Sequence, residues 1–249
     1  MLLIGSTVLV SISNIPVVAK ELIKIPVLWN VVKILLINDS SIFGGLITDG
    51  NTVVIDSLEE NSVNIYFTKD DALVEDVPHY EIEYREYPYT IVFTFDGIRG
   101  IYDTNIQEKV KNLPWVRDIY NIMTLDDSRR KIAIELNENI DFKITEYESP
   151  GMIKIDYQGL NQIESKSRYF VRTNGFNYGE ELDQIEEKLF EYEGTEVQKG
   201  NDGMYIIQYG PFDTKEEAEA KLKILNEDNE LNIDFYLEYR NIGEGLKMK

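Results

Sequence analysis

Between Ser167 and Arg240 the spacing of apolar residues switches from every second position to every third or fourth, and back, in one order of elements. Arg168 to Asn174 alternates like a strand. A helix is expected from about Gly179, with Asn177 placed to cap it, Glu180 three residues on, and Leu182, Ile185 and Leu189 along its buried stripe. Gly194 ends that helix, and Thr195 to Lys199 and Met204 to Tyr209 read as a hairpin turned through Gly200 to Gly203, with Gly210, Pro211 and Phe212 breaking the second strand. Thr214 and Glu217 stand at capping-box spacing before a helix that buries Ala218, Leu222 and Leu225, and Asn229 to Asn232 closes it. In the last strand Ile233, Phe235, Leu237 and Tyr239 alternate with Asp234, Tyr236, Glu238 and Arg240. The order βαββαβ places both helices on one face of a four-stranded sheet. That is the ferredoxin-like arrangement, a fold that hosts many unrelated functions.

Strand parity then sorts the residues by face. Val171 and Ile207 lie under the helices, which leaves Phe170, Arg172, Met204, Ile206, Gln208 and Tyr236 on the helix-free face. Aromatic and apolar side chains beside guanidinium and amide donors suit a sugar ring with its hydroxyl and N-acetyl groups. Other readings stay open: Arg172 pairs with Glu238 across the sheet, Ile206 is covered by another domain, and the apolar patch meets a protein.

The residues carry more than a fold. Tyr169 to Phe176 (YFVRTNGF) and Tyr205 to Leu225 (YIIQYGPFDTKEEAEAKLKIL) resemble the two half-repeats of SPOR domains, in which a V-Q-x-G-x-F strand leads into a helix containing Ala and Leu. The second half carries the pattern in Ile207, Gln208, Gly210, Pro211, Phe212, Ala218 and Leu225. The first departs from it, with Arg172 where Gln is usual and Asn174 where Gly is. The resemblance implies recognition of peptidoglycan glycan strands stripped of their stem peptides. It assigns that role to the six residues of the helix-free face.

The rest of the chain is read as strands and one hydrophobic segment. Met1 to Ala19 carries no charge and has the length of a bilayer-spanning helix, so an anchor at residues 1–19 is expected, although no Lys or Arg precedes it. Leu22, Ile25, Leu28, Trp29 and Val32 recur at helical spacing across Pro26. Ile25 to Lys33 resembles the segment after the membrane helix in bacterial anti-sigma-factor-like membrane proteins. Residues 20–86 are expected to form an ectodomain, a helix followed by the strands TVVID, SVNIYFT and YEIEYREY. Residues 87–160 are expected to form a second β-rich unit with a helix in TNIQEKVKNL and strands at YTIVFTF, RKIAIEL, DFKITEY and MIKIDYQG. Phe142, Ile144, Tyr147, Pro150, Ile153, Ile155 and Asp156 resemble the closing strands of AMIN domains, periplasmic modules that target wall amidases. The fold expected is therefore α+β: a SPOR-like domain at residues 167–240 behind β-rich extracytoplasmic domains and an N-terminal hydrophobic helix.

Composition excludes more than it identifies. A net charge of −20 would repel a phosphate backbone, so nucleic acid is not an expected partner. The absence of cysteine removes disulfides, thiolate metal sites and a Cys nucleophile, and the single His79 cannot build a two-imidazole site. Asp126 and Asp127 beside Arg129 and Arg130 read as a charged hairpin tip, and Asp70 and Asp71 lack the ligand series of a calcium loop. No cofactor, metal or catalytic residue is expected. The chain is expected to be a non-enzymatic peptidoglycan-binding protein, anchored in the cell membrane with its bulk outside the cytoplasm. It would serve as a targeting or scaffold element of division or sporulation alongside other envelope proteins. The alternative is an anti-sigma-like protein that senses the envelope.

Overall fold

The computed structural model describes residues 30–35, 41–57, 59–101, 106–162, 165–228 and 231–246, the first of these by backbone alone. The fold is mixed α+β, dominated by strands. The expected anchor, 1–19, lies outside the described residues. Among those described, no helix is long and apolar enough to cross a membrane.

Residues 30–160 form a β-sandwich. Its first sheet joins β1 (Asn30–Leu35), β11 (Ile140–Glu148), β12 (Met152–Leu160), β4 (Ser62–Lys69), β3 (Asn51–Asp56) and β8 (Ile98–Ile101) in that order, with β5 (Ala72–Leu73) on β4. Its second runs β2 (Ser41–Gly44), β6 (Tyr80–Glu86), β7 (Tyr89–Asp96), β10 (Arg129–Leu136) and β9 (Val116–Ile122). Alternate residues of each strand meet between the sheets: Val63, Ile65 and Phe67 face Ile91, Phe93 and Phe95, and the rings of Phe67 and Phe95 lie edge to face at 5.1 Å. Helix α1 (Ile106–Lys111) buries Val110 in this core.

Two expectations change here. Residues 20–86 and 87–160 were expected as separate units, yet β6 pairs with β7 across residues 86 and 87, and β12 pairs with β4. One apolar interior thus serves both stretches. The helix expected from Leu22 to Val32 falls mostly outside the described residues. Where it enters them, the β-branched run Val31, Val32 and Ile34 is strand, paired with β11. Asp70 and Asp71, both at positive φ, make the tight turn between β4 and β5.

The C-terminal unit follows the predicted order: β13 (Ser167–Thr173), α2 (Glu180–Leu189), β14 (Thr195–Lys199), β15 (Tyr205–Phe212), α3 (Lys215–Glu227) and β16 (Phe235–Asn241). The antiparallel sheet is ordered β14-β15-β13-β16. Thr214 and Glu217 form both arms of the capping box, at 3.3 and 3.1 Å. Asn177 does not cap α2, because the chain enters that helix through Gly179 with no side-chain cap bond. Nor do Gly210 and Pro211 end the strand. They bulge out of β15, whose pairing slips between Tyr169 and Val171. Gly210 sits at φ 129, and a Cβ there would come within 2.9 Å of the Phe170 ring, so glycine is required.

Candidate functional site

Val171, Ile207 and Phe235 pack under Leu182 and Leu189 of α2 and Ala218 and Leu225 of α3. The opposite face of the sheet therefore carries Phe170 and Arg172 of β13, Ile206 and Gln208 of β15, Tyr236, Glu238 and Arg240 of β16, and Glu196 and Gln198 of β14. Five of the six expected residues, Phe170, Arg172, Ile206, Gln208 and Tyr236, lie on this face, and Met204 directly precedes β15. Their exposure differs from expectation. Phe170, Arg172, Ile206 and Gln208 are all no more than 2 % exposed, while Met204 and Tyr236 are half-buried.

The cover comes from the sandwich. The outer face of its second sheet lies on the edge strand β14, and the turn between β6 and β7 reaches over the helix-free face. Tyr87, at that turn, places its ring 5.5 Å from Phe170. Its carbonyl accepts from Gln198 Nε2 at 3.0 Å and from Arg240 Nη1 at 2.8 Å. Beside it, Gly243 N–H donates to the Glu86 carbonyl at 2.8 Å, and Lys166 lies 3.6 Å from the Glu86 carboxylate. On the other side of β14, Lys199 pairs with Asp118 at 2.7 Å, and Tyr205 meets Tyr120 edge-on at 6.0 Å. Val92, Ile122 and Ala133 of the sandwich join the same apolar cluster as Val197.

Beneath Tyr87 the face is one hydrogen-bonded network. Arg240 donates to Gln198 Oε1 at 3.1 Å, Gln208 Oε1 at 2.9 Å and Glu238 Oε2 at 2.9 Å, and its guanidinium lies 4.3 Å from the centre of the Phe170 ring. Arg172 pairs with the same Glu238 carboxylate and lies 4.5 Å over the Tyr236 ring. Gln208 passes the chain to Glu196, which Arg85 of the sandwich approaches at 3.9 Å. Burial lowers the Arg240 pKa against the opposing pull of Glu238. Arg85 is shifted up despite its burial, because Glu196 and Glu83 stabilise its charge. Each buried guanidinium thus faces a carboxylate, the condition under which burial of charge is tolerated.

Arg172 pairing with Glu238, one of the alternatives to an open sugar site, is realised here, and Ile206 is fully buried. Arg240, Gln198 and Glu196 were not singled out from the sequence, and Glu238 only as a partner for Arg172. The signal was present, because Glu238 and Arg240 share the parity of Tyr236, and Gln198 stands opposite Ile206.

A second concavity of about 1020 Å³ opens on the helix side of β14, between α2 and the β9–β10 hairpin. Phe190 and Leu125 are exposed at its rim, with Lys131 and Glu186 inside. Burial, then Asp183, pushes the Glu186 carboxyl up to about 7 against the pull of Lys131, and its Oε2 is buried with no hydrogen-bond partner among the described residues. At the hairpin tip Asp126 accepts from the Ser128 backbone and hydroxyl, and Asp127 pairs with Arg99 at 2.9 Å, as a solvated turn requires. No group of residues able to hold a metal occurs among those described.

Residues 165–232 match the family model described as the SPOR domain, the same stretch in which the V-Q-x-G-x-F resemblance lies. SPOR domains are non-catalytic modules that bind peptidoglycan in cell division. The match does not extend to the residues that resemble AMIN or anti-sigma-like proteins. No significant match was found among curated proteins or among solved structures.

Proposed function

We propose that this chain is a wall-binding protein that recognises peptide-free glycan strands through the helix-free face of its C-terminal sheet. It would act as a targeting or scaffold element in cell division or sporulation. The match of residues 165–232 to the SPOR domain carries the reading. The chemistry of the face supports it: Phe170 and Tyr236 offer ring platforms, Arg240, Arg172, Gln198 and Gln208 offer donors, and Glu238 accepts. The uncharged stretch Met1 to Ala19 supports the further proposal that the protein is held at the membrane with its domains on the extracytoplasmic side. The test is co-sedimentation of the full chain with purified sacculi before and after an amidase has removed the stem peptides. Binding should rise with amidase treatment. Equal recovery from both preparations, or none from either by the chain and by variants that uncover this face, would overturn the reading.

A further inference from the structure

The groups that cover the glycan face resemble, in their chemistry, what that face is proposed to bind. Tyr87 sets a six-membered ring against Phe170 and aims an amide carbonyl at two donors, Gln198 Nε2 and Arg240 Nη1. An N-acetylated sugar presents the same pair of features, a ring with an apolar face and an acetamido carbonyl beside it. The fit of Tyr87 is incomplete. Its hydroxyl and Arg240 Nε are both buried with no hydrogen-bond partner among the described residues. A sugar has no phenol to bury and carries hydroxyls that can accept from Nε, so exchange of one for the other relieves both atoms.

From this we infer that the turn between β6 and β7 is an internal competitor for the glycan. Tyr87 occupies an acetamido-sugar subsite formed by Phe170, Gln198 and Arg240, and a strand gains that subsite only when the C-terminal domain swings off the sandwich. The inference rests on the glycan-binding reading above. It adds that binding and docking exclude one another, because a ring and a carbonyl cannot share Phe170, Gln198 and Arg240 with a second ring and carbonyl. Affinity for glycan is then reduced by the fraction of chains that stand undocked. The contacts outside the subsite, Arg85 to Glu196, Lys166 to Glu86 and the apolar contact of Val92, Ile122 and Ala133 with Val197, set that fraction.

The experiment uses the full chain, amidase-treated sacculi, and two separate variants that loosen the mask from the sandwich side, Tyr87→Gly and Arg85→Glu. Co-sedimentation is read together with hydrogen exchange of residues 240–246, because the Gly243 amide donates to the Glu86 carbonyl and loses protection on undocking. The expected result is that wild type binds with increased exchange in 240–246, and that a variant binds about tenfold tighter. Binding by a variant but not by wild type supports the same conclusion, with a mask that is nearly always shut. Wild-type binding without a change in exchange overturns the competitor and places the glycan elsewhere on the chain. Binding by none of the three proteins overturns the glycan reading itself, and the mask with it.

Discussion

On its helix side the C-terminal sheet meets Leu182, Leu189, Ala218 and Leu225 across Val171, Ile207 and Phe235. On its other side it meets Tyr87 and Arg85 across Phe170, Gln208, Glu196 and Arg240. Both sides are closed, but different forces close them. The helix side gains from removing apolar surface from water, a term that needs no fixed geometry and has no competitor but exposure. The side facing the sandwich exchanges hydrogen bonds with water for hydrogen bonds within the protein, so its net gain is small and another polar ligand can replace it. The first contact holds the domain folded, whereas the second, together with the apolar contact of Val92, Ile122 and Ala133 with Val197, docks it on the sandwich.

Core truncation should produce the largest effect. Ile207→Ala deletes a side chain only 1 % exposed and should cost about 2 to 5 kcal/mol in urea unfolding. A loss confined to the docking contact, with the C-terminal domain itself as stable as before, would break the distinction drawn here. Next comes Glu238→Ala, which leaves Arg172 and Arg240 without their shared carboxylate. Because Glu238 keeps 16 % of its side chain in water, the expected cost is on the order of 2 to 3 kcal/mol, below that of a wholly buried pair. Raised exchange in residues 240–246, with α3 still protected, would assign that cost to docking. Thr214→Ala removes one arm of the capping box and should cost about 1 kcal/mol, with exchange rising only at the start of α3.

The smallest effect concerns pH. The folded Glu186 carboxyl titrates near 7, above its ordinary value of 4.5, so between these values the folded chain holds more proton than the unfolded one. Its contribution to stability is therefore present at low pH and is lost as pH rises through about 7. Glu186→Gln should melt higher than wild type at pH 8, and the difference should vanish below the ordinary carboxylate value. A constant difference across that range would show that Glu186 is solvated in the cleft.

Much of the fold was legible as period and parity. The strands β3, β4, β6, β7, β10, β11 and β12 carry alternating or continuous β-branched and aromatic residues, and α3 carries a capping box. The strand β9 (VRDIYNI) was not expected. Its outward Asp118 and Tyr120 look like loop polarity until Lys199 and Tyr205 are set against them. In β7 (YTIVFTF) Thr90 and Val92 are as buried as Ile91 and Phe93, and Val92 packs in the same cluster as Val197 of the C-terminal domain. A run with both parities apolar or small was the available sign of that contact.

By itself the sequence determined the order βαββαβ, the helix side of its sheet and five of the residues opposite, because those follow from periods that local chain geometry enforces. Only the tertiary structure decided that four of the six are buried, with Tyr87 set against Phe170, and that Arg240, Gln198 and Glu238 complete the face. Parity reports which way a side chain points within its own sheet. What lies beyond depends on contacts made more than a hundred residues away in the chain, between groups whose polarity is equally suited to water.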